Sequence, residues 1–169
     1  MLGLDAPPED DDARFDEAEA AEAGGDLATA AALYARALAA DPTDAVAAFN
    51  RANCLAGLGA AAGAEAGYAR ALTLDPGFVE AWFNLANLLR DRGRADAARA
   101  HLTRALVIDP TYADAVYNLA ALEFDAGDLA AAASLWRRYL SLDTDSEWAR
   151  AAERGLRYVA LATARGTTG

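Results

Sequence analysis

Residues 79–112 read VEAWFNLANLLRDRGRADAARAHLTRALVIDPTY, and the same arrangement of residue types returns along the chain every 34 residues. Asp-Pro pairs mark this interval at positions 41–42, 75–76 and 109–110, and Asp143 continues it with Thr144 in place of the proline. A unit of this length cannot bury its own apolar face, so it must stack on copies of itself. The chain is therefore predicted to be a repeat array.

Glycine stands at the same place in each unit when the units are set at 11–44, 45–78, 79–112 and 113–146, namely at Gly25, Gly59, Gly93 and Gly127. A helix that ends in a left-handed turn needs a residue without a Cβ at that point. The Asp-Pro pair ends a second helix, because proline lacks an amide donor and disfavours helical geometry in the residue before it. Each unit is thus predicted to hold two helices.

Small and large apolar residues also recur in register. Alanine recurs at one position in the second helix of each unit, where a small side chain lets the two helices of the unit approach closely. This series is Ala30, Ala64, Ala98 and Ala132. One stripe of the first helices is expected to pack in the core, and it holds Trp82, Leu85, Leu89, Val116 and Leu119. The first unit has Arg14, Glu17 and Ala21 at positions where large apolar side chains would pack on the second helix. Its first helix is therefore expected to pack weakly. Arg51 lies at a core-type position and is expected to extend outward along the helix pair.

This pattern resembles the tetratricopeptide repeat over about residues 11–146. The third unit is the fullest match, with Ala81-Trp82-Phe83-Asn84-Leu85-Ala86-Asn87 followed by Gly93, Ala98, Ala105 and Asp109-Pro110. The resemblance implies an all-α fold, a right-handed α-solenoid of antiparallel helix pairs with about nine helices. It also implies a superhelical arc whose first helices line a concave groove, which many members use to hold a peptide or a partner protein.

The two ends of the chain differ from the repeats. Residues 1–10 are expected to be an acidic flexible segment, and 166–169 a disordered tail. Residues 147–165 are predicted to form a capping helix that covers the last repeat. In this helix Trp148, Ala152, Leu156 and Val159 share an apolar stripe, and Arg150, Arg154 and Arg157 face water.

The candidate binding residues lie on the first helices, on the stripe opposite the core. Asparagine is a poor residue for a helix interior, so its recurrence there suggests amides that offer a donor and an acceptor to an extended peptide backbone. We call Asn50, Asn53, Asn84, Asn87 and Asn118 the amide row. The predicted groove consists of Phe49, Asn50, Asn53, Phe83, Asn84, Asn87, Arg90, Tyr117, Asn118 and Phe124. The alternative is that these amides and rings bond and pack only between neighbouring repeats.

The charge of the lining predicts the partner. Arg90 is the one positive residue among an otherwise acidic and apolar set that includes Asp12, Phe15, Glu19, Glu80 and Asp114. Family members that bind a carboxylate use lysine and arginine there, so such a clamp is disfavoured. The partner segment is expected to be extended, partly apolar, and neutral or basic.

Composition narrows the other classes of function. The formal charge is −11, of which residues 1–26 carry −9, and this acidity disfavours nucleic acid as a partner. No apolar run reaches membrane-spanning length. Cys54 and His101 are each alone, so a disulfide, a metal site, a cofactor site and catalysis are not expected. A cytoplasmic adaptor is the leading prediction. A self-associating scaffold and a regulatory domain docked to a transcription or secretion component are the alternatives.

Overall fold

The computed structural model describes residues 11–166, with side chains described from residue 15 to residue 164. The predictions for residues 1–10, for the side chains of Asp12 and Arg14, and for the tail after Gly166 lie outside this part of the chain. Within it the backbone forms nine helices and no strand, as predicted. The helices are α1 (Asp11–Ala23), α2 (Leu27–Ala40), α3 (Ala45–Gly57), α4 (Ala61–Leu74), α5 (Val79–Asp91), α6 (Ala95–Ile108), α7 (Ala113–Asp125), α8 (Leu129–Leu140) and α9 (Glu147–Gly166).

The turns within and between the units follow from the recurring glycines and aspartates. The backbone φ angles of Gly25, Gly59, Gly93 and Gly127 lie between 74° and 83°, which confirms the predicted left-handed turns after α1, α3, α5 and α7. At the ends of α2, α4 and α6 the capping aspartate is extended. Its Oδ1 accepts the amide N–H two residues later at 2.8 Å in all three turns. The Asp-Pro pairs therefore end the second helices as predicted.

The first of two compact units runs to Leu88 and contains α1 to α4 and most of α5. In it α2 packs on α1 and α3, and α3 packs on α4. Ala30 and Ala64 are fully buried, as expected for residues that let helices approach closely. Cys54 is a free thiol buried in the core cluster of this unit. Burial, and to a lesser degree the Glu22 carboxylate, raises the pKa of this thiol.

Helix α1 packs on α2 as extensively as α2 packs on α3, which does not bear out the weak packing expected from its sequence. Ala18 is buried in a cluster with Ala30, Ala31, Tyr34 and Cys54. The Phe15 ring meets the Tyr34 ring edge to face at a centroid distance of 5.4 Å. Arg51 on α3 is partly exposed, and its Nε is buried without a hydrogen-bond partner among the described residues.

The second compact unit begins at Leu89 and contains the end of α5 and helices α6 to α9. In it α7 packs on α6 and α8, and α8 packs on α9. Its core includes Leu89, Leu102, Val116 and Trp136. The Trp136 ring lies so close to Gly155 that a Cβ there would stand 2.6 Å from two ring carbons. Helix α9 can therefore approach α8 only because residue 155 has no side chain.

Two tryptophans are more exposed than the sequence predicts. Leu85, Leu89, Val116 and Leu119 are buried as expected, but Trp82 is only partly buried. Its Nε1 donates to the Pro76 carbonyl at 3.0 Å, which holds the indole at the turn rather than in the core. Trp148 was expected to cover the last repeat together with Ala152 and Val159, which are indeed buried. Instead Trp148, in the first turn of α9, is 53% exposed.

None of the described helices combines the length and the apolar character needed to span a bilayer.

Candidate functional site

The ten predicted groove residues are alike in exposure and in the kind of helix that carries them. All are partly exposed, and all lie on α3, α5 or α7, the first helices of the second, third and fourth units. Six of them belong to the compact unit that ends at Leu88, and these are Phe49, Asn50, Asn53, Phe83, Asn84 and Asn87. The other four, Arg90, Tyr117, Asn118 and Phe124, belong to the compact unit that follows.

Asn53 is the centre of the amide row in the first compact unit. Its Oδ1 accepts the Tyr68 hydroxyl at 2.7 Å and the Asn84 amide Nδ2 at 2.9 Å. These two bonds join α3 to α4 and α3 to α5. Within the described residues, the Asn53 Nδ2 and the Asn84 Oδ1 make no hydrogen bond, and neither atom is buried. The internal bonds therefore orient both amides and leave one donor and one acceptor facing solvent.

Asn50 belongs to a second chain of hydrogen bonds. Its Nδ2 donates to the Tyr34 hydroxyl at 3.5 Å, and that hydroxyl donates to the Glu22 carboxylate at 3.1 Å. Burial and the bond to Glu22 raise the pKa of Tyr34, so the hydroxyl stays protonated as a donor. The bonding between neighbouring repeats that was weighed as an alternative is thus present at three members of the amide row. It uses only part of their hydrogen-bonding capacity.

Phe49 lies beside the amide row in an aromatic cluster. Its ring centroid is 4.6 Å from that of Phe78 and 5.9 Å from that of Tyr68. Burial raises the pKa of Tyr68 to about 12, so its hydroxyl remains the donor that holds Asn53. Because Phe49 packs on two rings and is still partly exposed, it presents a fixed apolar edge at the surface.

In the second compact unit the first-helix surface is aromatic. The Tyr117 ring meets the Tyr139 and Trp148 rings, each at a centroid distance of 5.2 Å. Farther along α7, the Phe124 ring lies 5.4 Å from the rings of both Trp136 and Tyr158. Trp148 and Tyr158 extend this surface onto α9 and are both more than half exposed.

The sequence prediction left Trp148 and Tyr158 out of the binding surface. The 34-residue interval carried past residue 146 contains the missed signal: Tyr158 stands 34 residues after Phe124, and Trp148 stands 34 after Asp114. Helix α9 begins 34 residues after α7, so it continues the series of first helices.

Exposed acidic side chains lie on the first helices, as do the predicted groove residues. Asp16, Glu19, Glu80 and Asp114 are exposed. Arg90 forms an ion pair with its neighbour Asp91 at 3.3 Å. The side chains of Arg99 and Glu123 pair at 2.7 Å on α6 and α7, and this bond contributes most to raising the pKa of Arg99. In the described part of the chain, no three His, Cys, Asp or Glu side chains gather as metal ligands would.

Comparisons with known proteins agree with this architecture. Three family models described as Tetratricopeptide repeat match the sequence, one at residues 89–154, one at 68–100 and one at 3–45 and 15–77. No curated protein matches the chain.

Solved structures with the same fold include the crystal structure of MamA protein, which is 22% identical with a TM-score of 0.77 over 90% of this chain and 86% of that one. The structure of MamA 41-end from Desulfovibrio magneticus RS-1 is 16% identical, with a TM-score of 0.81 over 96% and 90%. The first TPR of Spaghetti (RPAP3), bound to the HSP90 peptide SRMEEVD, is 21% identical, with a TM-score of 0.64 over 71% and 93%.

Proposed function

Because this chain belongs to the tetratricopeptide-repeat family, we propose that it is a protein-binding module that holds an extended segment of a partner against its first helices. One observation carries the proposal: the amides and aromatic rings predicted for binding all remain partly exposed on successive first helices. The fold is that of protein-interaction modules, and a solved relative of the fold holds a peptide. The proposed role is binding rather than catalysis.

The amides suit a peptide backbone. The Asn53 Nδ2 is a donor and the Asn84 Oδ1 an acceptor, and the bond between the two side chains fixes their spacing. A backbone amide offers the complementary pair of groups. Each such hydrogen bond contributes about 1 kcal/mol net, which the cost of ordering the peptide largely offsets. Affinity must then come from apolar burial on rings such as Phe49, and a dissociation constant on the order of micromolar is expected.

The charge of the surface favours a neutral or basic segment. Exposed Glu19 and Glu80 lie on the first helices of the first compact unit. Acidic peptides would bring like charge against them, whereas basic peptides would be attracted during encounter. We therefore propose a partner segment that is extended, partly apolar, and neutral or basic.

Selection from a displayed random-peptide library, followed by fluorescence anisotropy on the enriched peptides, tests this function. The double variant Phe83→Ala/Asn84→Ala is expected to bind the enriched peptides about tenfold more weakly, because it removes one ring and one backbone partner. The matched control is Thr103→Ala/Val107→Ala, two exposed side chains on the second helix α6.

The control variant is expected to bind as the parent chain does, and circular dichroism should show both variants helical. Three results would overturn the proposal. They are the absence of any enriched peptide, enrichment of acidic peptides, and unchanged affinity in the Phe83→Ala/Asn84→Ala variant.

A further inference from the structure

We propose that Trp148, Tyr117 and Asp114 form a discrete subsite for a cationic side chain, the arginine or lysine of a bound protein segment. We call this the Trp148 site. The inference rests on the proposed function, since it assigns one chemical feature of the partner. It also extends the binding surface onto α9, beyond the three first helices that carry the predicted groove.

The two rings of the Trp148 site are fixed against each other. The Tyr117 and Trp148 rings meet edge to face with an interplanar angle of 67°. Tyr117 also rests on the buried Tyr139 ring, and the Tyr139 hydroxyl donates to Asp143 at 2.6 Å. Behind the exposed indole there is thus an ordered aromatic layer. An indole face that is both rigid and open to solvent is the preferred aromatic partner of a guanidinium or ammonium group.

A carboxylate stands beside the rings. Asp114 precedes Tyr117 by three residues on α7, so the two side chains lie on the same face of the helix. Tyr139 supports this placement, because its pKa is raised mainly by burial and the bond to Asp143, with a further contribution from the Asp114 charge. Asp114 is exposed and makes no ion pair with any residue in the described part of the chain.

The neighbouring charges leave this carboxylate available. Arg138 donates to the Pro110 carbonyl and Arg150 to the Asp145 carbonyl, so both arginines are engaged at backbone oxygens. Helices α7 and α9 both begin here, and each N-terminus carries roughly half a positive charge. Asp114 and Glu147, in the first turns of these helices, more than offset it. An exposed indole, a phenol ring and a carboxylate that forms no ion pair among the described residues together favour a cation over a neutral side chain.

The test compares two capped tripeptides that differ only in charge, Gly-Arg-Gly and Gly-citrulline-Gly, at matched ionic strength. Citrulline keeps the planar shape of arginine without the positive charge. Each is titrated into the full chain while the indole N–H resonance of Trp148 and the backbone amide of Asn118 are followed by NMR. We expect arginine to shift both resonances with an affinity about tenfold higher than citrulline.

Two variants and two matched controls locate the effect. In Asp114→Asn the arginine peptide should bind at least threefold more weakly, and in Trp148→Leu its effect on Asn118 should disappear. Asp125→Asn, an exposed acid at the other end of α7, and Leu161→Ala, an exposed apolar residue farther along α9, should leave arginine binding unchanged. All four changed side chains are partly or fully exposed, and a dispersed NMR spectrum would verify the fold of each variant.

Equal binding of the arginine and citrulline peptides, or arginine binding that persists in both Asp114→Asn and Trp148→Leu, would show that the Trp148 site does not recognise cations. Failure here is separable from failure of the proposed function. If library peptides bind and arginine gives no specific shift at Trp148, the binding function stands and this subsite is wrong. If arginine shifts the Trp148 resonance and the library yields no peptide, the Trp148 site binds cations and the proposed peptide-binding function is wrong.

Discussion

At the scale of single residues, the backbone at four glycines decides where each first helix ends. Gly59 has φ = 74°, and a Cβ built at this position would meet no atom within 4 Å. Any cost of a side chain here is therefore a cost in backbone conformation, not in packing. L-residues pay roughly 1–2 kcal/mol in this region, and asparagine tolerates it best.

We predict that Gly59→Ala lowers the free energy of unfolding by about 1 kcal/mol, because alanine disfavours the left-handed turn. Gly59→Asn should cost less, although asparagine is the larger residue. Urea unfolding followed by circular dichroism measures both variants. A greater loss for asparagine than for alanine would mean that side-chain bulk, not backbone conformation, governs this site.

At the scale of helices, the close approach of α4 to α3 depends on a missing side chain. On α4, a Cβ at Gly67 would stand 2.8 Å from the Ala52 Cβ of α3, whereas a Cβ at Gly63 would meet only the flexible Leu55 side chain, at 3.2 Å. The two glycines lie one turn apart on the same helix. Alanine substitution at each of them therefore distinguishes the effect of helix propensity from the effect of helix packing.

Gly67→Ala is expected to destabilise the chain by about 1–2 kcal/mol, because separating α3 from α4 costs more than the gain in helix propensity. Gly63→Ala is expected to change stability by less than about 0.5 kcal/mol, since Leu55 can move aside while the helix gains propensity. Thermal and urea unfolding compare the two variants. Equal losses would contradict the close-packing explanation.

The junction between α8 and α9 depends on Asp143 rather than on an Asp-Pro pair. Its carboxylate accepts the Tyr139 hydroxyl at 2.6 Å and the Ser146 amide at 3.2 Å, and Ser146 Oγ caps α9 by accepting the Ala149 N–H. Hydrogen bonds from Ser146 and then Tyr139 lower the pKa of Asp143 to about 2. The unfolded chain has the ordinary value of 3.8, so protonation favours unfolding.

The contribution of Asp143 to stability is therefore complete above about pH 4 and is lost as the pH falls toward about 2. Asp143→Asn should lower stability at neutral pH and show a smaller decrease than the parent chain over that acid range. Urea unfolding from pH 6 down to pH 2 measures the difference, with the exposed Asp145→Asn as control. Parallel pH profiles for the parent and the Asp143→Asn variant would refute this linkage.

At the scale of the whole molecule, a terminal repeat of an array differs from an internal one, because each internal repeat is covered by a neighbour on both sides. Helix α9 packs on α8, and its Gly155 lies against the Trp136 ring. Trp136 is only 7% exposed, and its Nε1 has no hydrogen-bond partner among the described residues. The α9 helix thus shields a buried indole ring.

Truncation after Ser146 is expected to expose Trp136 and to cause self-association, because an uncovered helix pair presents a contiguous apolar surface. Sedimentation velocity over a concentration series measures the assembly state. Removal of residues 167–169 alone is the control and should change nothing. A truncated chain that sediments as a monomer with the parent unfolding midpoint would show that α9 is not a cap.

Much of this protein was determined by local sequence. Helix ends at the glycines and Asp-Pro pairs and the buried alanine series could be predicted, because each depends on backbone conformation or side-chain size within one unit. Even the positions of the amides could be predicted, since a helix places every third or fourth residue on one face.

Only the tertiary structure decided what those residues contact. The shared Oδ1 of Asn53 and the exposed pairing of Trp148 with Tyr117 join helices that are distant in sequence. Their geometry depends on ångström-scale approaches between helices, set by contacts such as Gly155 against Trp136. Periodicity specifies the face on which a side chain lies, but the packing distance between helices specifies which partner it reaches and how much of it remains in water.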